Sequence, residues 1–248
     1  MAVIRWNFPN GNDTDALTPA LAGADTTNVT GGPATISTTQ AIIGTRSTYM
    51  LSNATGHIWF AKESLSTTTV AVDMYLYIAT APSAEFYQIW CGSSSSTRSV
   101  GIRMLPDRTL RLSDNASTSL WTSSAIPLAS WVRISLYATI NATTGTALAE
   151  WYNGHSTTAQ SSSGTLTGLN TGTNVDRIRV GFKAASATGT GDGYVGSWAY
   201  DTAATGLIAP YSAGTAVTTR RRDAGAWTTL APQLRVAGTW QAKTGYKK

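Results

Sequence analysis

Residues 70–78 read Val-Ala-Val-Asp-Met-Tyr-Leu-Tyr-Ile. Val70, Val72, Met74, Leu76 and Ile78 fall on one parity, and Asp73, Tyr75 and Tyr77 on the other. Successive side chains of an extended chain point to opposite faces, so a period of two describes a strand with one face against a core. The alternation recurs along the chain. Val132, Ile134, Leu136, Ala138 and Ile140 alternate with Trp131, Arg133, Ser135 and Tyr137. Val100, Ile102 and Met104 alternate with Gly101 and Arg103, Pro106-Asp107 supplies a turn, and Leu110 and Leu112 flank Arg111 on the way back, which predicts a hairpin. Ile178, Val180 and Phe182 alternate with Arg177, Arg179 and Gly181. Tyr87–Cys91 and Leu148–Tyr152 are shorter strands, the second closed by Asn153-Gly154. Tyr194, Gly196, Trp198 and Tyr200 are expected to share one face of a last strand.

Composition agrees with this pattern. The chain holds 40 Thr and 25 Ser but only three Glu and five Lys, so it is rich in residues that suit pleated surfaces and poor in surface helix formers. Ser/Thr/Gly-rich stretches at 93–97, 141–146, 156–172 and 184–193 separate the strands. Many short strands joined by such turns predict an all-β antiparallel sandwich or barrel, and 248 residues can form one large domain of that kind. Cys91 is the only cysteine, which excludes an intrachain disulfide or a cysteine zinc cluster. No apolar run reaches the roughly 18–20 residues of a membrane-spanning helix, so membrane insertion is not expected. The opening MAVIRWNFPNGND lacks the apolar stretch of a signal peptide, and a chain made and kept in the cytoplasm until assembly is the expectation.

Charge is scarce and uneven. Charged residues make up 12% of the chain, about half the usual share near 25%. From Gly214 to Lys248 there are seven basic residues and one acid, a net +6, while residues 1–213 carry 11 basic and 12 acidic residues, a net −1. Nucleic acid is not expected as a partner, because the near-neutral body gives no sign of Lys and Arg spread over one face. The basic end contains a repeat: Arg222-Asp223-Ala224-Gly225-Ala226-Trp227 and Arg235-Val236-Ala237-Gly238-Thr239-Trp240 are the same R-x-A-G-x-W pattern thirteen residues apart. Residues 206–219 read as an exit linker, so the expected organisation is a body over 1–211 and a basic arm over 212–248. Arg220, Arg221, Arg222, Trp227, Arg235 and Trp240 are its candidate docking residues, since Arg pairs with carboxylates or stacks on aromatics and Trp is enriched at interface hot spots.

The order of these elements resembles the concanavalin A-like, or laminin G-like, jelly-roll sandwich over about residues 1–211. The segments that carry the resemblance are IRWNFPNGNDTDALT, WVRISLYATINATTGTALAEWYNG from Trp131, DRIRVGF and GYVGSWAYDTAATGLIAPY. The pairing of such a domain with tandem R-x-x-G-x-W segments resembles bacteriophage virion proteins of the minor tail type. The resemblance implies a structural or adhesive role with carbohydrate contact, other tail or capsid subunits as partners, and several copies per particle.

Three chemistries can be weighed in the body. Hydrolases of this fold use paired carboxylates, in a strand motif resembling E-x-D-x-x-E, and none of Glu63, Glu85 and Glu150 stands in such a setting. His57 and His155 sit in no nucleophile-elbow context. Calcium needs six to eight oxygen ligands, and Asp192 and Asp201 are the candidates, although Asp192-Gly193 also reads as a turn; no cofactor is otherwise expected. Sugar binding stacks an aromatic face on the ring, and Trp90, Trp131, Trp151 and Tyr152 are the candidates, each also able to serve as core filling. The expectation is therefore a non-enzymatic phage virion component, a minor tail or adhesion protein touching host envelope glycans and held to the particle by its arm. A capsid decoration protein is the alternative, and a glycan-degrading enzyme the distant one.

Overall fold

The computed structural model describes residues 3–7, 14–30, 32–52, 57–93, 97–185, 189–211, 220–223, 226–229, 233–236 and 239–242, the last four segments by their backbone. The chain divides into two compact units, Met1–Ala209 and Pro210–Lys248.

The first unit is an antiparallel β-sandwich with a jelly-roll order of strands. Its elements are β1 (Ile4–Trp6), α1 (Pro19–Ala22), β2 (Thr26–Val29), β3 (Ala34–Ser37), β4 (Ser47–Ser52), β5 (Ile58–Lys62), β6 (Thr69–Thr80), β7 (Phe86–Gly92), β8 (Arg98–Met104), β9 (Leu110–Asp114), β10 (Ser119–Thr122), β11 (Trp131–Thr139), β12 (Gly145–Asn153), β13 (Ala159–Ser162), β14 (Leu166–Leu169), β15 (Arg177–Ala184) and β16 (Gly191–Asp201). The larger sheet runs β13-β12-β11-β6-β16-β4-β3, with β1 on β16 and β14 on β12; the smaller runs β10-β9-β8-β7-β15-β5-β2. Neighbours distant in sequence arise because the chain crosses between sheets after β1, β2, β4, β5, β6, β10, β14 and β15.

The alternating apolar residues read from the sequence line the space between the sheets. Val70, Val72, Met74, Leu76 and Ile78 of β6 face Ile102, Leu110, Ile178 and Phe182 of the smaller sheet in one buried cluster. Cys91 is part of it, and burial pushes its thiol pKa up. The hairpin at Pro106-Asp107 forms as expected, with Arg108 taking the left-handed conformation that closes it.

One face assignment is corrected. The register of β16 shifts between Val195 and Ser197, a β-bulge that inserts Gly196. Val195, Trp198 and Tyr200 therefore belong to the core, and Tyr194 turns to the outer face with Ser197 and Ala199. Trp198 is fully buried and donates from Nε1 to the Ala22 carbonyl at 3.0 Å. That carbonyl is presented by α1, one turn the composition did not suggest, set by Thr18 as N-cap, Pro19 in its first turn and Gly23 in the left-handed region behind it.

Residues 202–209 lie on the outer face of the larger sheet. Ile208 packs on Ala71 and Ala199, with Tyr137 and Ala204 against them. Below it Asp73, fully buried, accepts hydrogen bonds from Ser135 Oγ (2.6 Å), Arg5 Nη1 (3.2 Å) and Arg133 Nη1 (3.4 Å). Burial raises its pKa, while the two guanidiniums and the Ser135 hydroxyl pull the other way. The same arginines hold the segment, Arg133 Nη1 donating to Ile208 O and Arg5 Nη2 to Ala209 O, both at 3.1 Å.

The second unit contains two hairpins, β17 (Arg220–Asp223) with β18 (Ala226–Thr229), and β19 (Gln233–Val236) with β20 (Thr239–Ala242). Each brackets the Ala-Gly of one repeat. Arg222 is paired with Trp227, and Arg235 with Trp240, at the same position of the two hairpins. The repeat thus encodes a repeated hairpin with Arg opposite Trp. The side chains of the six candidate docking residues lie outside the described part of the structure.

Candidate functional site

The aromatic residues of the larger sheet's outer face come into one row. Tyr49 of β4 is in register with Tyr194 of β16, Tyr194 with Tyr77 of β6, and Tyr77 with Trp131 of β11. Ring centroids are 5.0, 5.6 and 5.6 Å apart along the row, with planes tilted by 45°, 82° and 59°. These are the offset and edge-on arrangements aromatic quadrupoles favour. Four adjacent strands at a spacing near 4.8 Å make a row about 14 Å long. All four rings are partly exposed.

Asp192 stands at the tyrosine end of the row. Its Oδ2 accepts from Thr80 Oγ1 at 3.1 Å, and its buried Oδ1 makes no hydrogen bond among the described residues. Burial, reinforced by Asp192, raises the pKa of Tyr49 and of Tyr194, so both hydroxyls stay protonated. The site combines ring faces, phenol hydroxyls and a carboxylate acceptor, which is the chemistry that holds neutral hydroxylated rings.

Gly196 permits this geometry. A Cβ there would come within 2.6 Å of Ile42 Cγ2 and 2.8 Å of the distal edge of the Trp131 ring. Both Ile42 and the indole must yield, so Gly196→Ala is expected to destabilise the body by about 1–3 kcal/mol, the scale of overpacking, while displacing Trp131. Tryptophan fluorescence should shift and the denaturation midpoint fall; an unshifted spectrum would mean that Gly196 does not set the position of Trp131.

The other aromatic candidates are corrected. Trp151 shares its parity with Ala147 and Ala149 and lies in the core. Tyr152 is on the outer face but is covered by the Arg133 guanidinium, 3.8 Å above its ring, and burial pushes its pKa up to about 12. Trp90 faces outward from the smaller sheet, but at 2% exposure it is closed off by Arg179, 4.7 Å over its ring. Of the four, Trp131 alone is partly exposed.

The calcium pair is corrected too. Asp192 and Asp201 lie near opposite ends of β16, nine residues or about 30 Å apart along a strand. Asp201 instead accepts from Ala203 N at 2.8 Å. No group of three or more His, Cys, Asp or Glu able to hold a metal occurs among the described residues. The glutamates are spread: Glu63 pairs with Arg177, Glu85 with Arg103 and Arg111, and Glu150 bonds Tyr152 and Ser162. The expectation of no cationic face on the body is also overturned, since Arg98, Arg103, Arg111, Arg177, Arg179 and Lys183 all lie on the smaller sheet.

Tyr49, Tyr77 and Tyr194 were not singled out from the sequence as binding residues. Tyr77 was readable as outward-facing from its parity, but Tyr194 was hidden by the bulge and Tyr49 lies in a strand with weak alternation.

No protein-family model matches the chain, and no curated protein matches it. It is similar to a Trypanosoma rangeli sialidase in complex with the inhibitor DANA, at 9% identity and a TM-score of 0.48, over 80% of this chain and 30% of that one. It is also similar to domain 4 of a GH43 extracellular arabinanase from Geobacillus stearothermophilus in complex with arabinotriose, at 13% identity and 0.44, over 79% and 89% of the two chains. A third likeness is to a homodimeric agglutinin from chicken liver, at 10% identity and 0.34, over 58% and 99%. The chain spans under a third of the sialidase's length. The reading of the chain as a non-enzyme is withdrawn on these findings, because the sialidase and the arabinanase are enzymes.

Proposed function

We propose that this chain is a bacteriophage virion component of the minor tail or adhesion type, whose sandwich contacts host-envelope glycans through the Tyr49–Tyr194–Tyr77–Trp131 row and whose twin hairpins attach it to neighbouring virion subunits. The single observation that carries the glycan part is the register of that row, four partly exposed rings on four bonded strands beside Asp192. Rings fixed by backbone pairing are ordered before a ligand arrives, so little conformational entropy opposes stacking. The repeated Arg-opposite-Trp hairpin supports attachment, because two equivalent modules on one chain raise avidity without requiring either to bind tightly.

The test is binding of the full chain to an array of bacterial cell-wall and capsular oligosaccharides. Trp131→Ala is expected to lower affinity about five- to tenfold, the scale of one aromatic stacking contact. Unchanged affinity, or no glycan bound by the parent, would remove the glycan role. Immunogold labelling of intact particles is expected on the tail; labelling of the head would instead assign the chain to capsid decoration.

A further inference from the structure

The opposite side of the sandwich has a different chemistry. On the outer face of the smaller sheet, the registers place Arg111 of β9 opposite Arg103 of β8, Arg103 opposite Tyr87 of β7, and Tyr87 opposite Lys183 of β15. Like charges directly across a strand pair are destabilising, so this row is held at a cost. Three cations converge on one phenol ring: Arg98 lies 5.1 Å, Lys183 5.3 Å and Arg103 5.5 Å from the Tyr87 centroid. Next to them Arg179 is held between Trp59 and Trp90, 4.5 and 4.7 Å from the two rings.

Carboxylates balance this charge only in part. Glu85 alone serves both Arg103 and Arg111, at 2.8 and 3.3 Å. Arg98 donates to neutral groups, the Asp114 carbonyl, Ser117 Oγ and the Tyr87 hydroxyl, with the charge of the Asp114 carboxylate acting on it without a direct contact, and neither it nor Lys183 makes an ion pair among the described residues. Burial, followed by the charges of Arg179 and Arg98, pulls the Lys183 pKa down to about 8. Burial first, then Lys183 and Arg179, also lowers that of His57.

The strand that carries Tyr87 is irregular. Phe86 and Ile89 of β7 both belong to the core, although strict alternation would turn one of them outward. The register shift between Tyr87 and Ile89 accounts for this and turns Tyr87 and Gln88 together away from the core, both opposite Arg103. Gln88 is fully buried, and neither its Oε1 nor its Nε2 has a hydrogen-bond partner among the described residues. Ser113, in register with Gly101 and through it with Trp90, is likewise fully buried with an unpartnered Oγ. Buried polar groups are nearly always satisfied, and leaving one unsatisfied costs about 1–3 kcal/mol. Both groups are closed to solvent, so what this face offers a ligand is the cation cluster around Tyr87, which suits an anionic group.

We propose that this face binds an acidic saccharide, with its carboxylate or sulfate seated among Lys183, Arg98 and Arg103 around Tyr87. The site is distinct from the tyrosine row, which lies on the other sheet and suits uncharged sugars. A saccharide fits better than a nucleic acid because the positive row spans only four strands, about 14 Å, whereas nucleic-acid surfaces follow many successive phosphates.

The experiment is calorimetric titration of the full chain with trigalacturonate, with an uncharged galactose trisaccharide and with a single-stranded DNA oligonucleotide of equal charge. Trigalacturonate is expected to bind and the neutral trisaccharide not to bind at this face. Lys183→Ala should weaken binding tenfold or more, Lys183→Arg should retain it, and Arg108→Gln, which removes a charge at the hairpin tip, should leave it unchanged. Affinity for the parent should fall about tenfold between pH 7 and pH 9 as Lys183 loses its proton, and Lys183→Arg should flatten that profile. Full trigalacturonate affinity in Lys183→Ala overturns the proposal. So does loss of affinity on replacing Arg220, Arg221 and Arg222 by Gln while Lys183→Ala has no effect. Tighter binding of the oligonucleotide with the same dependence on Lys183 would make the face a nucleic-acid surface and overturn the saccharide assignment.

Discussion

Replacing Asp73 by Ala is expected to destabilise the body by about 3–5 kcal/mol, the range for removing one partner of a buried ion pair. Asp73 is fully buried, and its two arginine partners expose only 9% and 2% of their side chains. Without the carboxylate, two guanidiniums stay in a desolvated place facing each other's charge. Ser135 Oγ loses the acceptor it reaches at 2.6 Å. Asp73→Asn should cost nearly as much, because it keeps the shape and removes the charge. Replacing Asp73, Arg5 and Arg133 together by Leu, Met and Met should recover part of the loss, since apolar residues relieve the unpaired charges while the Ile208 and Ala209 carbonyls lose their donors. Urea denaturation measures all three. A midpoint for Asp73→Ala within about 1 kcal/mol of the parent would show that the cluster is not a main support of the fold.

Two truncations are expected to separate the roles of the C-terminal segments. Ending the chain at Ala213 should leave the stability of the body unchanged, because this product keeps Ile208 and Ala209 and their bonds to Arg133 and Arg5. The same truncation is expected to abolish incorporation into particles if the twin hairpins are the attachment device. Ending the chain at Asp201 should instead cost several kcal/mol. It uncovers Ala71 and Ala199, removes the buried Ile208 side chain worth about 1.5–3 kcal/mol, and deprives Arg5 and Arg133 of carbonyl acceptors. Thermal unfolding of the two products measures stability, and complementation of a phage lacking the intact chain measures incorporation. Normal incorporation of the longer product would remove attachment from the hairpins. Equal stability of the two products would show that residues 202–209 do not clamp the sheet.

The two faces of the sandwich differ in what could be read beforehand. Trp131 and Tyr77 were visible as outward residues because each lies opposite apolar neighbours in a regular alternation. Tyr194 was assigned to the wrong face because Gly196 adds one residue to β16, and no local pattern marks an insertion whose purpose is to clear space for Trp131. Trp151 was offered as a surface aromatic because an indole in a strand of small residues fits either side; only the packing of β12 against the smaller sheet places it inside. The cationic face was missed for a different reason. A net charge of −1 for residues 1–213 averages over a molecule in which positive charge gathers on one sheet.

By itself the sequence determined the longer strands, the inward faces of those with unbroken alternation, the all-β class and the equivalence of the two terminal repeats. Each is encoded locally, in a period of two or a motif of six residues. The tertiary structure alone decided which strands are neighbours and in what register. It brought residues 49, 77, 131 and 194 into one row, and residues 98, 103 and 183 around one ring. Pairing depends on crossovers, bulges and packing between segments far apart in the chain, and local alternation carries no information about those distances.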